Sequence, residues 1–258
     1  MALLDVRQMN LSFGGLKVID CLSFAVEPHS IVSLIGPNGA GKTSVFNCLT
    51  GFYKPDSGEI LFDGRSILKM APHRITRAGM ARTFQNLRLF KSMTVLENVM
   101  SGMHCRTRSG AFGALLRTPG QRREEEIIRE NCERCLDFVG ILKWKDRMAG
   151  NLPYGDQRRV EWARAIATQP KLILFDEPAA GLNFDEKLRL IELIRKIRIE
   201  LGITIVMIEH DMSLVMQISE CITVIDYGQK IAEGTAREVQ NNPRVIEAYL
   251  GKEEDRSE

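Results

Sequence analysis

Long apolar runs are absent from this sequence of 258 residues. One of the longer stretches, residues 203–208, is short and contains a threonine, whereas a membrane-spanning helix needs about 20 apolar residues. The beginning of the chain, MALLDVRQMN, lacks the charged start and the apolar run of a secretory signal. We therefore expect no spanning segment and no export, and the cytosol is the expected compartment.

A large excess of charge of either sign is also missing. The chain has 35 Lys and Arg against 33 Asp and Glu, which gives a formal net charge of +2 at pH 7. This near balance argues against a general binder of nucleic acid, because such proteins carry a strong basic surplus. The hydrophobic share of 44% and the charged share of 26% are ordinary for a globular protein with a large core.

The six cysteines lack the spacing of a metal site. Only Cys132 and Cys135 form a C-x-x-C pair, and no second pair or nearby histidine accompanies them. Together with Ile128, Leu136 and Val139 they follow the spacing of one helix face. We interpret both thiols as small apolar residues on the buried face of a helix, without a metal or redox role.

Short apolar runs alternate with helical patterns along most of the chain. Strand-like runs cover residues 22–26, 31–35, 59–62, 172–175, 203–208 and 222–225. Helical patterns cover residues 43–49, 186–201 and 212–218, and they dominate residues 95–167. The alternation predicts an α/β fold with a mostly parallel sheet covered by helices, and the helical block in the middle predicts an insertion.

The strongest motif is GPNGAGKTS, which follows the strand-like run 31–35 and opens a helical pattern. It fits the phosphate-loop pattern G-x-x-x-x-G-K-[ST]. Glycines allow successive backbone amides to turn towards an anion, Lys42 supplies charge for the outer phosphates, and the Thr43 hydroxyl can bind Mg²⁺. The residues expected to bind the triphosphate are Gly36, Pro37, Asn38, Gly39, Ala40, Gly41, Lys42, Thr43 and Ser44.

Acidic residues and a histidine follow two other apolar runs. Asp176 and Glu177 end the run LILF, and Glu209, His210 and Asp211 end the run IVMI. At the carboxyl edge of a parallel sheet, Asp176 can hold the magnesium ion and Glu177 can accept a proton from an attacking water. His210 can contact the γ-phosphate or orient that water. These residues predict hydrolysis of a nucleoside triphosphate.

The ordered set GPNGAGKT, RTFQN, YGDQRR, LFDEP and IEHD resembles the ATP-binding subunit of an ABC transporter over essentially the whole chain. The resemblance implies a P-loop NTPase core of the RecA-like type with a mostly parallel sheet, an antiparallel β subdomain and an inserted α-helical subdomain. It places the core in residues 1–86 and 153–258, and the helical subdomain, with the signature loop at its end, in residues 87–152. It also implies an ATPase that uses ATP and Mg²⁺ and is coupled to transport.

The resemblance assigns roles to individual residues. Those expected to act in catalysis are Lys42, Gln85, Glu177 and His210. Those expected to hold Mg²⁺ are Thr43, Gln85 and Asp176. Those expected to lie against the adenine are Phe13, as the stacking aromatic residue, and Val18. The signature-loop residues expected to contact nucleotide are Leu152, Tyr154, Gly155, Asp156 and Gln157, with a helix starting at Asp156.

The signature loop of this family caps the nucleotide of a second cassette, because two cassettes dimerise head to tail. This chain departs from the usual L-S-G-G-Q: Pro153 replaces the serine, Tyr154 a glycine and Asp156 the glutamine. Asn183 replaces the aspartate of the D-loop, residues 180–183, and with Glu186 it also fits a helix cap. Since proline lacks both a hydroxyl and an amide hydrogen, we expect an asymmetric heterodimer with a weaker site under Pro153.

Longer stretches, such as RTFQNLRLFKSMTVLENV and the ending NNPRVIEAYLG, resemble cassettes of high-affinity branched-chain amino acid importers. The resemblance implies a second cassette, two membrane permease subunits and a periplasmic binding protein as partners, with no nucleic acid. It implies a peripheral location on the cytoplasmic face of the inner membrane. Two alternatives stay open, a cassette of a lipid or lipopolysaccharide exporter and a soluble ABC ATPase without a transport role.

Overall fold

The structure is a computed structural model that describes residues 1–103, 105 and 119–250. The chain forms two compact units, unit 1 with Met1–Ile75 and Leu174–Glu258, and unit 2 with Thr76–Ile173. Among the described residues the elements are, in chain order, β1 (Leu4–Phe13), β2 (Leu16–Val26), β3 (Ile31–Ile35), α1 (Lys42–Leu49), β4 (Ser57–Phe62), β5 (Arg65–Ser66), α2 (Pro72–Ala78), β6 (Met80–Arg82), α3 (Val95–Met103), α4 (Pro119–Phe138), α5 (Tyr154–Ala167), β7 (Leu172–Asp176), α6 (Phe184–Leu201), β8 (Thr204–Ile208), α7 (Met212–Ile218), β9 (Cys221–Asp226), β10 (Gln229–Gly234), α8 (Ala236–Gln240) and α9 (Pro243–Leu250). Two short 3₁₀ turns, Leu142–Trp144 and Ala149–Asn151, lie between α4 and α5.

A four-stranded sheet in unit 1 has the order β2-β1-β4-β5. Its central strand β1 pairs antiparallel with both β2 and β4, so the expected antiparallel β part is confirmed. Strand β1 was not predicted from the sequence. Its register shifts between Val6 and Met9, and Gln8 has a φ of 45°, so a bulge breaks the alternation that would have identified the strand.

The second sheet has the order β10-β9-β3-β8-β7-β6. Strand β3 is parallel to both β8 and β9, and β10 returns antiparallel along β9. All residues of β3, β7 and β8 are buried, as expected for parallel strands that are covered on both faces. The predicted α/β fold with a mostly parallel sheet is confirmed, and the predicted apolar runs form strands.

Three helices, α3, α4 and α5, pack together in unit 2. A Cβ atom added at Gly102 would lie 2.5 Å from the carbonyl oxygen of Arg164, so this glycine allows α3 and α5 to approach closely. Cys132 and Leu136 are fully buried on α4, which confirms the predicted apolar face for these two residues, whereas Cys135 is only partly buried. Burial raises the pKa of Cys132 to about 12 and that of Cys135 to about 11, so both thiols stay protonated near neutral pH.

None of the helices in the described ranges is long and apolar enough to cross a membrane.

The predicted cap of helix α6 is confirmed, because Asn183 is its N-cap, and the helix starts two residues before the predicted 186. The Asn183 side chain accepts a hydrogen bond from the backbone N–H of Glu186 at 3.0 Å, and the Glu186 carboxylate accepts one from the N–H of Asn183 at 2.9 Å. This reciprocal capping box ties the loop after β7 to the first turn of α6.

Candidate nucleotide-binding site

The phosphate loop leaves the buried strand β3 and ends at helix α1, both in unit 1. Gly36 has a φ of 154°, and a Cβ atom there would lie 2.0 Å from the carbonyl oxygen of Ile225. Gly41, the residue before α1, has a φ of 100°, and its Cβ would lie 2.7 Å from the carbonyl oxygen of Val18. Only glycine fits these two positions, and the loop is therefore held closely against β2 and β9.

Lys42 is only 6% exposed although it is charged. Its Nζ donates hydrogen bonds to the carbonyl oxygens of Gly36 at 2.7 Å and Pro37 at 2.8 Å. Burial lowers the pKa of Lys42, and the carboxylate of Glu177 opposes that shift. The ammonium group is thus fixed at the loop, within electrostatic reach of Glu177.

Glu177 follows Asp176, the buried last residue of β7. The backbone N–H of Glu177 donates to the carbonyl oxygen of Ile208 at 2.9 Å, which joins the carboxyl ends of β7 and β8. Glu177 Oε1 lies 3.0 Å from Nε2 of His210, the second residue after β8. The structure therefore brings together Lys42, Glu177 and His210 in one part of unit 1.

Glu209 is a buried carboxyl group for which the sequence analysis gave no role. Its side chain accepts hydrogen bonds from the backbone N–H groups of Ala179 at 2.6 Å, His210 at 3.0 Å and Asp211 at 3.4 Å. Burial raises the pKa of Glu209, and these N–H groups act in the opposite direction. Glu209 therefore joins the turn that carries Glu177 to the turn that carries His210. Its position directly after a buried strand is the feature of the sequence that could have indicated this role.

Phe13, at the end of β1, presents an apolar ring surface that is 46% exposed. The ring of Tyr53 meets it edge-on, with centroids 5.1 Å apart and planes at 75°. Val18 lies near the phosphate loop through its backbone carbonyl, which faces Gly41. Tyr53 was not predicted from the sequence, because only the fold brings the loop after α1 beside β1.

The Q-loop of this family, which contains Gln85 in this chain, and the signature-loop residues belong to unit 2. Gln85 is exposed in the loop after β6. Helix α5 begins at Tyr154 rather than at the expected Asp156, because Pro153 already serves as its N-cap with φ −55° and ψ 151°. The Gln157 side chain donates to the carbonyl oxygen of Leu152 at 2.8 Å, which ties the two ends of the signature loop together.

Comparison with known protein families shows which family the chain belongs to. The model of the ABC transporter family matches residues 19–180. This chain belongs to the ABC transporter family. A second family model, described as branched-chain amino acid ATP-binding cassette transporter, matches residues 229–255. The chain is thus an ATP-binding cassette ATPase that works with the membrane subunits of a transporter.

Individual relatives of the cassette agree with this assignment. It is 48% identical over 250 residues to the high-affinity branched-chain amino acid transport ATP-binding protein LivG of Escherichia coli strain K12, covering 97% of this chain and 98% of that protein. It is 46% identical, with the same shares, to BraF of Pseudomonas aeruginosa, which has the same description. The crystal structure of the ADP conformation of MJ1267, an ATP-binding cassette of an ABC transporter, matches with a TM-score of 0.84 and 32% identity over 98% of this chain and 100% of that one.

Proposed function

We propose that this cassette hydrolyses ATP to drive the import of branched-chain amino acids through an ABC transporter. The observation that carries the ATPase part is the 3.0 Å contact between Glu177 and His210 beside the buried Lys42. The cargo rests on the family model matched at residues 229–255 and on the names of the LivG and BraF relatives. The cassette itself need not contact that cargo.

The side chains of the site divide the work of hydrolysis. Lys42 and the amides of the phosphate loop bind the phosphates, with the N-terminal end of α1 behind them. Glu177 accepts the proton of the attacking water, and His210 holds the Glu177 carboxylate in place for that step. Phe13 stacks on the adenine, and Tyr53 supports the Phe13 ring from its edge.

Mg²⁺ fits the oxygen donors that this chain offers. Thr43 provides a hydroxyl in the first turn of α1, and Asp176 provides a carboxylate at the end of β7. Hard oxygen ligands of this kind are those that Mg²⁺ prefers. When bound, the ion neutralises charge on the outer phosphates.

The signature loop is proposed to cap the nucleotide of a second cassette in a head-to-tail dimer. Pro153 and Tyr154 depart from the usual motif, so the second cassette is expected to be a different chain and the site under Pro153 to be the weaker one. Two permease subunits and a periplasmic binding protein complete the proposed complex at the cytoplasmic face of the inner membrane. Residues 87–152 are the proposed helical subdomain, a proposal supported by the packing of α3 and α4 in unit 2.

The substitution Glu177→Gln tests the ATPase mechanism in the complex reconstituted with its membrane partners. We expect ATP hydrolysis at this chain's own site to fall by about 100-fold or more, since a positioned general base contributes about that factor. The complex should keep only the weaker activity of the partner's site, and the uptake of labelled leucine should fall with the loss of the stronger site. Binding of ATP should persist, because Lys42 and the phosphate loop are unchanged. Glu192→Gln, at an exposed position of α6, is the matched control and should leave both rates unchanged.

Two results would count against parts of the proposal. Hydrolysis at the wild-type rate in the Glu177→Gln complex would remove the role of Glu177 as the base. A wild-type complex that hydrolyses ATP but does not take up leucine, and that copurifies with envelope proteins of a lipid export bridge, would contradict the cargo and the direction of transport.

A further inference from the structure

Arg158 is a buried cation that contacts both the signature loop and the Q-loop. Its side chain is 2% exposed, one turn into helix α5. Its Nη2 donates to the hydroxyl oxygen of Tyr154 at 2.7 Å, and its Nε donates to the same oxygen at 3.2 Å. Nη2 also lies 3.4 Å from the carbonyl oxygen of Gln85. One guanidinium group therefore links the first residue of α5 to the backbone of the Q-loop residue.

Glu161 holds the same loop from the next turn of α5. Its Oε1 accepts a hydrogen bond from the backbone N–H of Phe84 at 3.3 Å. Burial raises the pKa of Glu161, and the backbone N–H groups of Phe84 and Arg88 both act against that shift. The carboxyl group thus attaches Phe84 to α5, in addition to the contact that Arg158 makes with Gln85.

The ring of Phe84 adds a third attachment within unit 2. The guanidinium carbon of Arg82 lies 4.9 Å from the ring centroid, and that of Arg88 lies 4.4 Å from it. Cation–π contacts of this length are attractive and hold the ring in place. The conformation of the Q-loop is therefore set by the side chains around it. Two of these side chains, Arg158 and Glu161, are buried and belong to α5.

We propose that Arg158 is a positioning residue that couples the signature loop to the Q-loop through the hydroxyl of Tyr154. This inference rests on the proposed function, in which the signature loop caps the nucleotide of the partner. A displacement of Tyr154 by the partner's nucleotide would change the hydrogen bonds of Arg158, and with them the hold on the Gln85 carbonyl. Glycine, the usual residue at this position, has no hydroxyl to accept these bonds, so the link depends on Tyr154.

Tyr154→Phe tests the link, because it removes the hydroxyl and keeps the ring that lies 5.2 Å from the guanidinium carbon. Hydrogen–deuterium exchange of the full chain should show amides of residues 84–88 exchanging about tenfold faster, the ratio expected for losing one charge-assisted hydrogen bond. Exchange in β3 and β8 should not change. Tyr227→Phe, at a side chain that is 85% exposed, is the matched control and should leave residues 84–88 unaffected.

Arg158→Lys is the second variant, because it keeps the charge and loses the planar fork that reaches two acceptors. It should accelerate exchange in residues 84–88 as Tyr154→Phe does. In the reconstituted complex, Tyr154→Phe should lower kcat for ATP at unchanged KM, because the phosphate loop is intact. A purely structural role would instead accelerate exchange throughout the chain.

The inference is overturned if Tyr154→Phe leaves exchange in residues 84–88 unchanged, or if exchange increases equally in both units. The exchange experiment needs neither nucleotide nor transport, so its outcome is separate from that of Glu177→Gln. Unchanged exchange together with the expected loss of hydrolysis in Glu177→Gln would remove only the coupling. Faster exchange together with normal hydrolysis in Glu177→Gln would remove only the ATPase mechanism.

Discussion

Glu177 has a φ of 49°, an unusual value for a residue with a side chain. Backbone strain of this kind costs about 1–3 kcal/mol and persists where the surroundings impose it. Here the N–H of Glu177 donates to the carbonyl of Ile208, and the buried Glu209 holds the neighbouring turn through Ala179. The strained backbone directs the Glu177 carboxylate towards His210, which is consistent with its proposed role as the base.

The aromatic pair of Phe13 and Tyr53 allows a prediction for nucleotide affinity. Phe13→Ala removes the exposed ring, and we expect the Kd for ATP to rise by about tenfold, since stacking of a base on an aromatic side chain is worth about 1–3 kcal/mol. Tyr53→Ala should have a smaller effect, because an edge-on aromatic pair contributes about 0.5–1.5 kcal/mol. Calorimetric titration of the chain with ATP measures both values.

The matched control for this pair is Phe184→Ala, which removes an exposed ring at the start of α6. It should leave the affinity for ATP unchanged. If Phe13→Ala bound ATP as tightly as the control, the assignment of Phe13 to the adenine would be wrong. If Tyr53→Ala had the larger effect of the two, Tyr53 would be the stacking residue.

At the level of elements, helices α6 and α7 are joined where both approach the edge of the sheet. Asp211 is the N-cap of α7 and accepts hydrogen bonds from the backbone N–H groups of Ser213 and Leu214. Its Oδ2 also lies 2.6 Å from Nζ of Lys187 on α6. The Lys187 ammonium lowers the pKa of Asp211, and the charged carboxylate in turn raises the pKa of Lys187.

This ion pair predicts a pH dependence of stability. Because the pKa of Asp211 is lower in the folded chain, the pair stabilises the fold above the usual Asp pKa of about 3.9, and that contribution is lost as the pH falls through the folded pKa. Asp211→Asn keeps a side-chain oxygen for the cap and removes the charge. The wild type should therefore be more stable than Asp211→Asn at pH 7, with a difference that shrinks below pH of about 4. Urea unfolding across this range measures it, and a difference independent of pH would contradict the assignment.

Elements with an uninterrupted pattern could be predicted from the sequence, and those with local exceptions could not. Residues 31–35 and 212–218 are β3 and α7 with the predicted bounds, because a short apolar run and a helical pattern mark them clearly. Strand β1 was missed because its bulge at Gln8 disturbs the alternation of period two. The helix after the signature loop starts earlier than predicted because Pro153 replaces a side-chain cap.

The same distinction holds for the site. Lys42, Glu177 and His210 were predictable because each lies in a glycine motif or within two residues of an apolar strand. The contacts of Tyr53 with Phe13 and of Arg158 with Gln85 were not, since these partners are distant in sequence. Only folding brings those residues together.

For the whole molecule, the proposal assigns the bound triphosphate to unit 1 and the loop that caps the partner's nucleotide to unit 2. The phosphate loop, Glu177 and His210 belong to unit 1, whereas Gln85 and the signature loop belong to unit 2. In a head-to-tail dimer, damage to the signature loop should therefore impair the partner's site and spare the site of the same chain. This asymmetry is the central claim of the account.

The most direct test measures ATP hydrolysis by the reconstituted complex with Gly155→Glu in this chain. In the first background, the general base of the partner cassette is replaced by glutamine, so that only this chain's own site turns over. Adding Gly155→Glu should then change the rate of ATP hydrolysis by no more than about twofold, a difference below about 0.4 kcal/mol. When Glu177→Gln is present in this chain instead, only the partner's site turns over, and Gly155→Glu should abolish hydrolysis. The opposite pattern, with this chain's own site lost and the partner's site intact, would contradict the head-to-tail arrangement.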